Sequence, residues 1–210
     1  MHTPRSRARR PGAGVAPPAR EGMLAERKHV EVRLGGSGGQ GVVLMGIILA
    51  TAGNHDKRHV VQTESYGPEA RGGYSRSDVI IADEPIDYPK LTEADLLVAL
   101  SQEAATAYLK GLRRDGIFIY DSDHVTSAPY FGGVTMGAPF THLAKAETGR
   151  EQTTNVLALG AAVGVTGVVS VESIRAAVLE EVPSGTGELN LRALDKGLGL
   201  EQSEWEVLRK

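Results

Sequence analysis

Two short stretches carry the residues whose types and spacing could do chemistry. The first is Gly35-Gly36-Ser37-Gly38-Gly39-Gln40-Gly41, which contains G-x-G-x-x-G as Gly36, Gly38 and Gly41. Glycines at that spacing permit a tight turn. A helix starting directly after it turns free N–H groups and the positive end of its dipole toward a phosphate or carboxylate. The second runs from Gln62 through Glu64, Ser65, Tyr66, Gly67, Pro68, Glu69 and Arg71 to Gly72-Gly73. It combines turn formers with a ring, carboxylates and a guanidinium, and groups of that kind on a loop are often functional. Each stretch also has a plainer use. The glycines could serve only close packing of turn and helix, and Arg71 could pair with Glu64 or Glu69 to tie down its own loop. A dinucleotide site wants an acid about 20 residues on, at the end of the second strand, and Glu64 satisfies that spacing.

The elements that must position these groups follow from the hydrophobic pattern. Residues 29–34 form a short β-branched strand, 35–41 the glycine turn, and 42–52 a helix apolar nearly all round, hence buried on most sides. Further strands are expected at 59–62, 77–82, 95–100, 116–120 and 133–136, with a helix at 102–112 and a loop over 65–74. From 153 onward the chain turns helical, over 155–163, 171–182 and 188–200. The 155–163 stretch is apolar with small residues, so another element can approach it closely. Strand, turn, helix and further apolar strands imply a single-domain α/β fold, Rossmann-like, with a mostly parallel sheet and flanking helices.

Residues 1–28 differ from the rest. Seven basic side chains stand against two acidic ones, four prolines preclude a regular helix, and apolar content is low. The segment reads as a disordered basic extension, a partner-binding arm, or an over-long start with Met23 as a second initiator. The folded domain is expected over 29–200, and 201–210 reads as a polar tail. Its Trp205, the only tryptophan, either tucks onto the domain or anchors an interface. The overall charge of −3 gives no argument for nucleic acid, and no stretch is long and apolar enough for a membrane span, so neither is an expected partner. The chain has no cysteine, which excludes disulfides, thiolate nucleophiles and any cysteine-ligated iron–sulfur cluster held by this chain.

Other chemistry-bearing residues carry weaker signals. His55 and His59 have the i, i+4 spacing of a helical metal pair, but they flank a turn that leads into a strand, and no metal site is expected. His124 and His142 read as surface residues, Glu180-Glu181 as a solvated helix end. Ser65 lacks a nucleophile-elbow context. The Gly41/Gly46 spacing reads as helix–sheet packing rather than membrane dimerisation.

Together, GGSGGQGVVLMG and QTESYGPEARGGYSRSDVIIADEPIDYP resemble the gamma subunit of the 2-oxoacid:ferredoxin oxidoreductases, in the form most similar to the 2-oxoglutarate enzymes. Looser similarity continues through DLLVALSQEA, residues 116–121 and the TTNVLALGA stretch around Asn155. The resemblance implies an enzyme that decarboxylates a 2-oxoacid on thiamine diphosphate with Mg2+, captures the acyl group with coenzyme A, and sends electrons through iron–sulfur clusters to ferredoxin or an NAD-reducing subunit. It implies alpha, beta and delta-type partner subunits that hold those cofactors, a cytoplasmic complex, and no catalytic group or metal on this chain. Gly36, Gly38, Gly41 and Arg71 are then candidate contacts for coenzyme A phosphates, joined by the cations Arg76 and Lys90. Ser65, Tyr66, Glu69 and Arg71 are candidates for an interface or active-site loop, with docking the preferred use. The substrate stays open among 2-oxoglutarate, pyruvate, branched-chain, indolepyruvate and phenylglyoxylate types. A free-standing nucleotide-binding dehydrogenase and a purely structural assembly subunit are the rivals from other classes.

Overall fold

The computed structural model describes residues 22–66 and 73–207. Among these, a seven-stranded sheet has the order β2-β3-β1-β4-β5-β6-β7. The strands are β1 His29–Ser37, β2 His59–Tyr66, β3 Tyr74–Ala82, β4 Ala94–Ala99, β5 Leu112–Asp121, β6 Val134–Ala138 and β7 Glu206–Val207. β1, β4, β5 and β6 pair in parallel, and β2 runs the same way, whereas β3 and β7 run against them. The sheet is therefore mostly parallel in direction, as expected. The antiparallel β3 between β2 and β1 is the departure from a simple doubly wound order.

The helices are α1 Val42–His55, α2 Gln102–Tyr108, α3 Phe140–Thr148, α4 Thr154–Thr166, α5 Val171–Glu181 and α6 Gly187–Leu198. α1 lies directly on β3: a Cβ on Gly46 would strike the Ser77 side chain. This is the helix–sheet use expected of the small residue. α4 and α6 approach backbone to backbone, because Gly160 and Gly197 leave no side chain to hold them apart. One large core on this face joins α1, α4, α5 and α6 to Val32, Leu34, Val79, Ile81, Leu96 and Val98. A smaller core on the other face lies under α2 and includes Leu97, Phe118 and Tyr120.

Three boundaries differ from the sequence reading. Residues 22–28, placed in a disordered extension, join the domain: Leu24 is buried, its N–H donates to the Thr166 carbonyl at 2.8 Å, and Arg27 pairs with buried Asp95. Residues 1–21 lie outside the described residues. The polar tail contributes β7 beside β6, and Trp205 packs edge-on against Phe140 at 5.9 Å between ring centres, so it tucks onto its own domain. The loop expected over 65–74 is shorter, because β2 and β3 continue as a hairpin: Ser65 and Tyr66 pair with Arg76 and Ser75, while Gly36 and Ser37 pair with Ser75 and Tyr74. Cross-strand hydrogen bonds on both sides of β3 hold Tyr74, Ser75 and Arg76 extended.

Candidate functional site

The sheet brings the two signature stretches together. β1 ends at Ser37, β3 begins at Tyr74 beside it, and the Gly38 N–H donates to the Gly73 carbonyl at 3.0 Å. The register is fixed nearby by Arg33, whose Nε and Nη2 each reach an Asp78 carboxylate oxygen at 2.8 Å. The end of the second stretch is thus tied to the glycine turn. Glu69 and Arg71 lie outside the described residues, as do Gly67, Pro68, Ala70 and Gly72. Ser65 is exposed near the end of β2.

The three motif glycines do different work. A Cβ on Gly36 would press on the Gln40 Oε1 at 2.7 Å and the Val42 side chain at 2.9 Å. Gly41 is left-handed, at φ +72°, and a Cβ there would collide with the Asn155 amide. Both are shaping glycines, needed for close approach. Gly38 meets nothing nearer than the Gly73 oxygen at 3.5 Å, and Gly39, at φ +88°, faces open space. Backbone that a ligand could approach is therefore found at Gly38 and Gly39. Gln40 closes the turn from beneath. Its Oε1 accepts from the Ser37 N–H at 2.6 Å, and its Nε2 donates to the Leu100 carbonyl at 3.0 Å, across the gap between β1 and β4.

That gap is where the chain direction through the sheet reverses: from β1 it proceeds through α1 to β2 and β3 on one side, then returns to β4 on the other. Ligands of open α/β sheets bind beyond the carboxyl ends of the strands at such a point. Here a crevice of about 350 Å³ lies between the glycine turn and the start of α4, lined among others by Gln40, Gly41, Leu100, Thr141, Thr154 and Asn155. α1 opens onto it with no side-chain cap and no acidic residue in its first turn, and the carboxylate among the lining residues, Glu151, is paired with Lys145 at 2.8 Å. Asn155 Nδ2 donates to the Gly41 carbonyl at 3.2 Å. Asp121, at the end of β5, is buried. Its carboxyl is pushed above the usual 3.8 by burial, against the opposing hydrogen bonds of the Thr141 hydroxyl at 2.6 Å and the Asp123 N–H at 3.1 Å.

Several expectations change in this geometry. Glu64 is no partner for the glycine turn: β3 stands between β2 and β1, which moves the acid a further strand spacing of about 5 Å from where a dinucleotide ribose would need it. Lys90 precedes β4, close to Thr92, which bonds Glu31 near the start of β1, so it belongs to the opposite end of the sheet. Arg76 is partly engaged, 3.4 Å from Asp78 and stacked 5.7 Å from the Tyr108 ring centre. His55 ends a helix and bonds Glu180 at 3.0 Å, while His59 starts a strand, so the pair shares no face. His124, read as a plain surface residue, is exposed and also lines the crevice. Gln40 and Asn155 were not singled out as site residues. A lone amide opening an otherwise apolar helix was the available signal for Asn155.

Comparison with known proteins decides the family. The family model for pyruvate ferredoxin/flavodoxin oxidoreductase matches residues 31–200. The chain belongs to this family. Within it, the 2-oxoglutarate synthase subunit KorC of Methanocaldococcus jannaschii is 45% identical over 170 residues, 80% of this chain and 91% of the relative. The crystal structure of the gamma subunit of a keto/oxoacid ferredoxin oxidoreductase from Geobacter sulfurreducens superposes with a TM-score of 0.77 at 42% identity, covering 85% of this chain and 99% of that one. The 2-oxoglutarate:ferredoxin oxidoreductase of Magnetococcus marinus, solved with 2-oxoglutarate, coenzyme A and succinyl-CoA bound, shares the fold at a TM-score of 0.73 and 22% identity. This chain matches 82% of its own length there and 31% of that longer chain, so the fold also occurs inside a larger polypeptide.

Proposed function

We propose that this chain is the gamma subunit of a 2-oxoglutarate:ferredoxin oxidoreductase. The complex converts 2-oxoglutarate and coenzyme A to succinyl-CoA and CO2, and passes the electron pair to ferredoxin or a related acceptor. The observation that carries the reading is the 45% identity to a 2-oxoglutarate synthase subunit over nearly its whole length. Thiamine diphosphate with Mg2+ and the iron–sulfur clusters belong, in this reading, to the alpha, beta and delta-type partners in a cytoplasmic complex. A chain without cysteine has no thiolate to hold a cluster. Among the described residues, no group of three or more His, Asp or Glu side chains is placed to hold a metal ion.

The chain's own contribution is a binding edge. Gly38 and Gly39 leave backbone accessible, α1 presents uncapped N–H groups, and Gln40 and Asn155 keep the turn rigid. Phosphates of coenzyme A complement such an edge without a metal or a lysine. In this reading Arg71 supplies a cation for those phosphates, from a stretch whose following residue Gly73 accepts the Gly38 N–H. Ser65, Tyr66 and Glu69 serve in this reading as the docking contacts to the partner subunits.

The test is copurification from cells expressing the full set of neighbouring subunits, with a tag on this chain, followed by assay. Expected are cysteine-bearing partners and 2-oxoglutarate turnover that requires coenzyme A. Recovery of this chain as an active, partner-free enzyme would sink the reading. A complex that prefers pyruvate would replace the substrate while keeping the class.

A further inference from the structure

The crevice contains one feature that the protein's own contacts leave unexplained. Asn155 is 4% exposed, and its Oδ1 is buried with no hydrogen-bond partner. Folded proteins seldom leave a buried acceptor unpaired, and a bound ligand or water is the common explanation. The same amide has a structural duty on its other side, since Nδ2 holds the Gly41 carbonyl at the N-terminus of α1. Two independent features therefore meet in one crevice of about 350 Å³: a helix N-terminus without a cap, and an acceptor without a donor.

We infer that Asn155 is a ligand-positioning residue. Nδ2 locks the Gly41 carbonyl and so aims the first-turn N–H groups of α1, while Oδ1 accepts a hydrogen bond from an N–H of the ligand. This rests on the coenzyme A reading above and deepens it. The ligand must carry an anion for the helix and an N–H donor for the amide, and coenzyme A has both: its phosphates, and the amide and amino groups of its pantetheine arm and adenine. The chain thereby selects for the organic part of the coenzyme and not only its charge. A free phosphate or a bare polyanion satisfies one half of the site and leaves Oδ1 unpaired.

The test uses the assembled complex with Asn155→Leu, which keeps the γ-branched shape and removes both polar atoms. The apparent KM for coenzyme A should rise about 10-fold, the cost of one lost hydrogen bond to a well-placed ligand together with a loosened turn. The KM for 2-oxoglutarate should not move. Asn155→Ser, whose hydroxyl can accept from the ligand, should recover part of the loss, and it serves as the primary variant if the leucine chain fails to assemble. A coenzyme A KM within about twofold of wild type in an assembled variant overturns the inference. So does a fall in melting temperature and kcat with both KM values unchanged, because that outcome marks a purely structural amide. A wild-type complex that turns over 2-oxoglutarate without coenzyme A overturns the underlying reading and this inference with it.

Discussion

The two ends of the sheet treat their polar groups in opposite ways. Where the parallel strands begin, every buried carboxylate is answered. Asp95 pairs with Arg27 and Arg113 and accepts from the Glu31 N–H at 2.8 Å. Glu31 in turn accepts from the Thr92 N–H at 2.7 Å and the Glu93 N–H at 3.1 Å. Nearby, Asp56 just past the end of α1 takes hydrogen bonds from the hydroxyls of Ser170 and Ser173 and from the Ser170 N–H. Where the strands finish, α1 is uncapped, Gly39 faces open space and Asn155 Oδ1 has no donor. At the first end the chain's own charges do the finishing: even Arg58 Nε, buried without a hydrogen bond, has the Asp83 carboxylate 3.0 Å away. The second is completed from outside. A fold can be stabilised at one end of its strands and left open for binding at the other because the same parallel strands deliver their starts to one side and their finishes to the opposite side.

Substitutions can break this contrast, and the largest effect is expected at the closed end. Asp95→Ala leaves the buried Glu31 N–H without its acceptor and takes the buried carboxylate from Arg27 and Arg113, which keep only the exposed Asp115 and the Glu93 carbonyl. Loss of a buried paired charge costs about 3–5 kcal/mol, which lowers the melting temperature by roughly 10 °C in a chain of this size. Thermal unfolding measures it, and in complexes that still assemble, the KM for coenzyme A should stay at the wild-type value. A raised KM with unchanged melting would invert the roles of the two ends.

A smaller stability effect and a larger functional one are expected from Gln40→Ala at the open end. It removes two hydrogen bonds that bridge β1 and β4, worth about 1–3 kcal/mol together. The glycine turn loosens, and the KM for coenzyme A should rise several-fold while that for 2-oxoglutarate holds. Equal changes in both values would show that Gln40 serves only the fold.

The smallest effect is a difference in pH response. For Asp56, burial raises the carboxyl pKa, but the hydrogen bonds from Ser173 and Ser170 outweigh it and hold the value below the ordinary 3.8. A lowered carboxyl contributes stability that is present above 3.8 and is lost as pH falls through its folded value. Asp121 at the open end has the opposite sign: its raised pKa gives a contribution that is full below 3.8 and is lost as pH rises through the folded value. Melting curves of Asp56→Asn should lie below wild type at neutral pH and converge with it in strong acid. A gap that widens on acidification would contradict the assignment.

Much of this was legible in the sequence, and the losses have physical causes. β4 and the cores of β1, β3 and β5 announce themselves as short apolar runs, and α1 and α4 as longer ones, because they are buried on several sides. α3 was missed: it is half polar, its cap is Pro139 with no side-chain hydrogen bond, and only Gly149 at φ +74° signals its end. The start of β5 was hidden because residues 113–116 fall within a register shift, between Ala94 opposite Leu112 and Leu96 opposite Ile117, where Asp115-Gly116 reads locally as a turn. The insertion of β3 beside β1 is a long-range pairing that no local pattern encodes, and it is what removes Glu64 from the glycine turn. At the site, the glycines were visible because their spacing is unusual. Gln40 and Asn155 were not, because their importance comes from contacts 60 and 114 residues away.

Hydrogen–deuterium exchange on the assembled complex, with and without coenzyme A, tests the central claim most directly. The account predicts new protection over residues 37–44 and 152–157 when the coenzyme is added, with residues 27–33 and 92–96 unchanged. Protection confined to the strand starts, or none at the glycine turn in a complex that consumes coenzyme A, would contradict it.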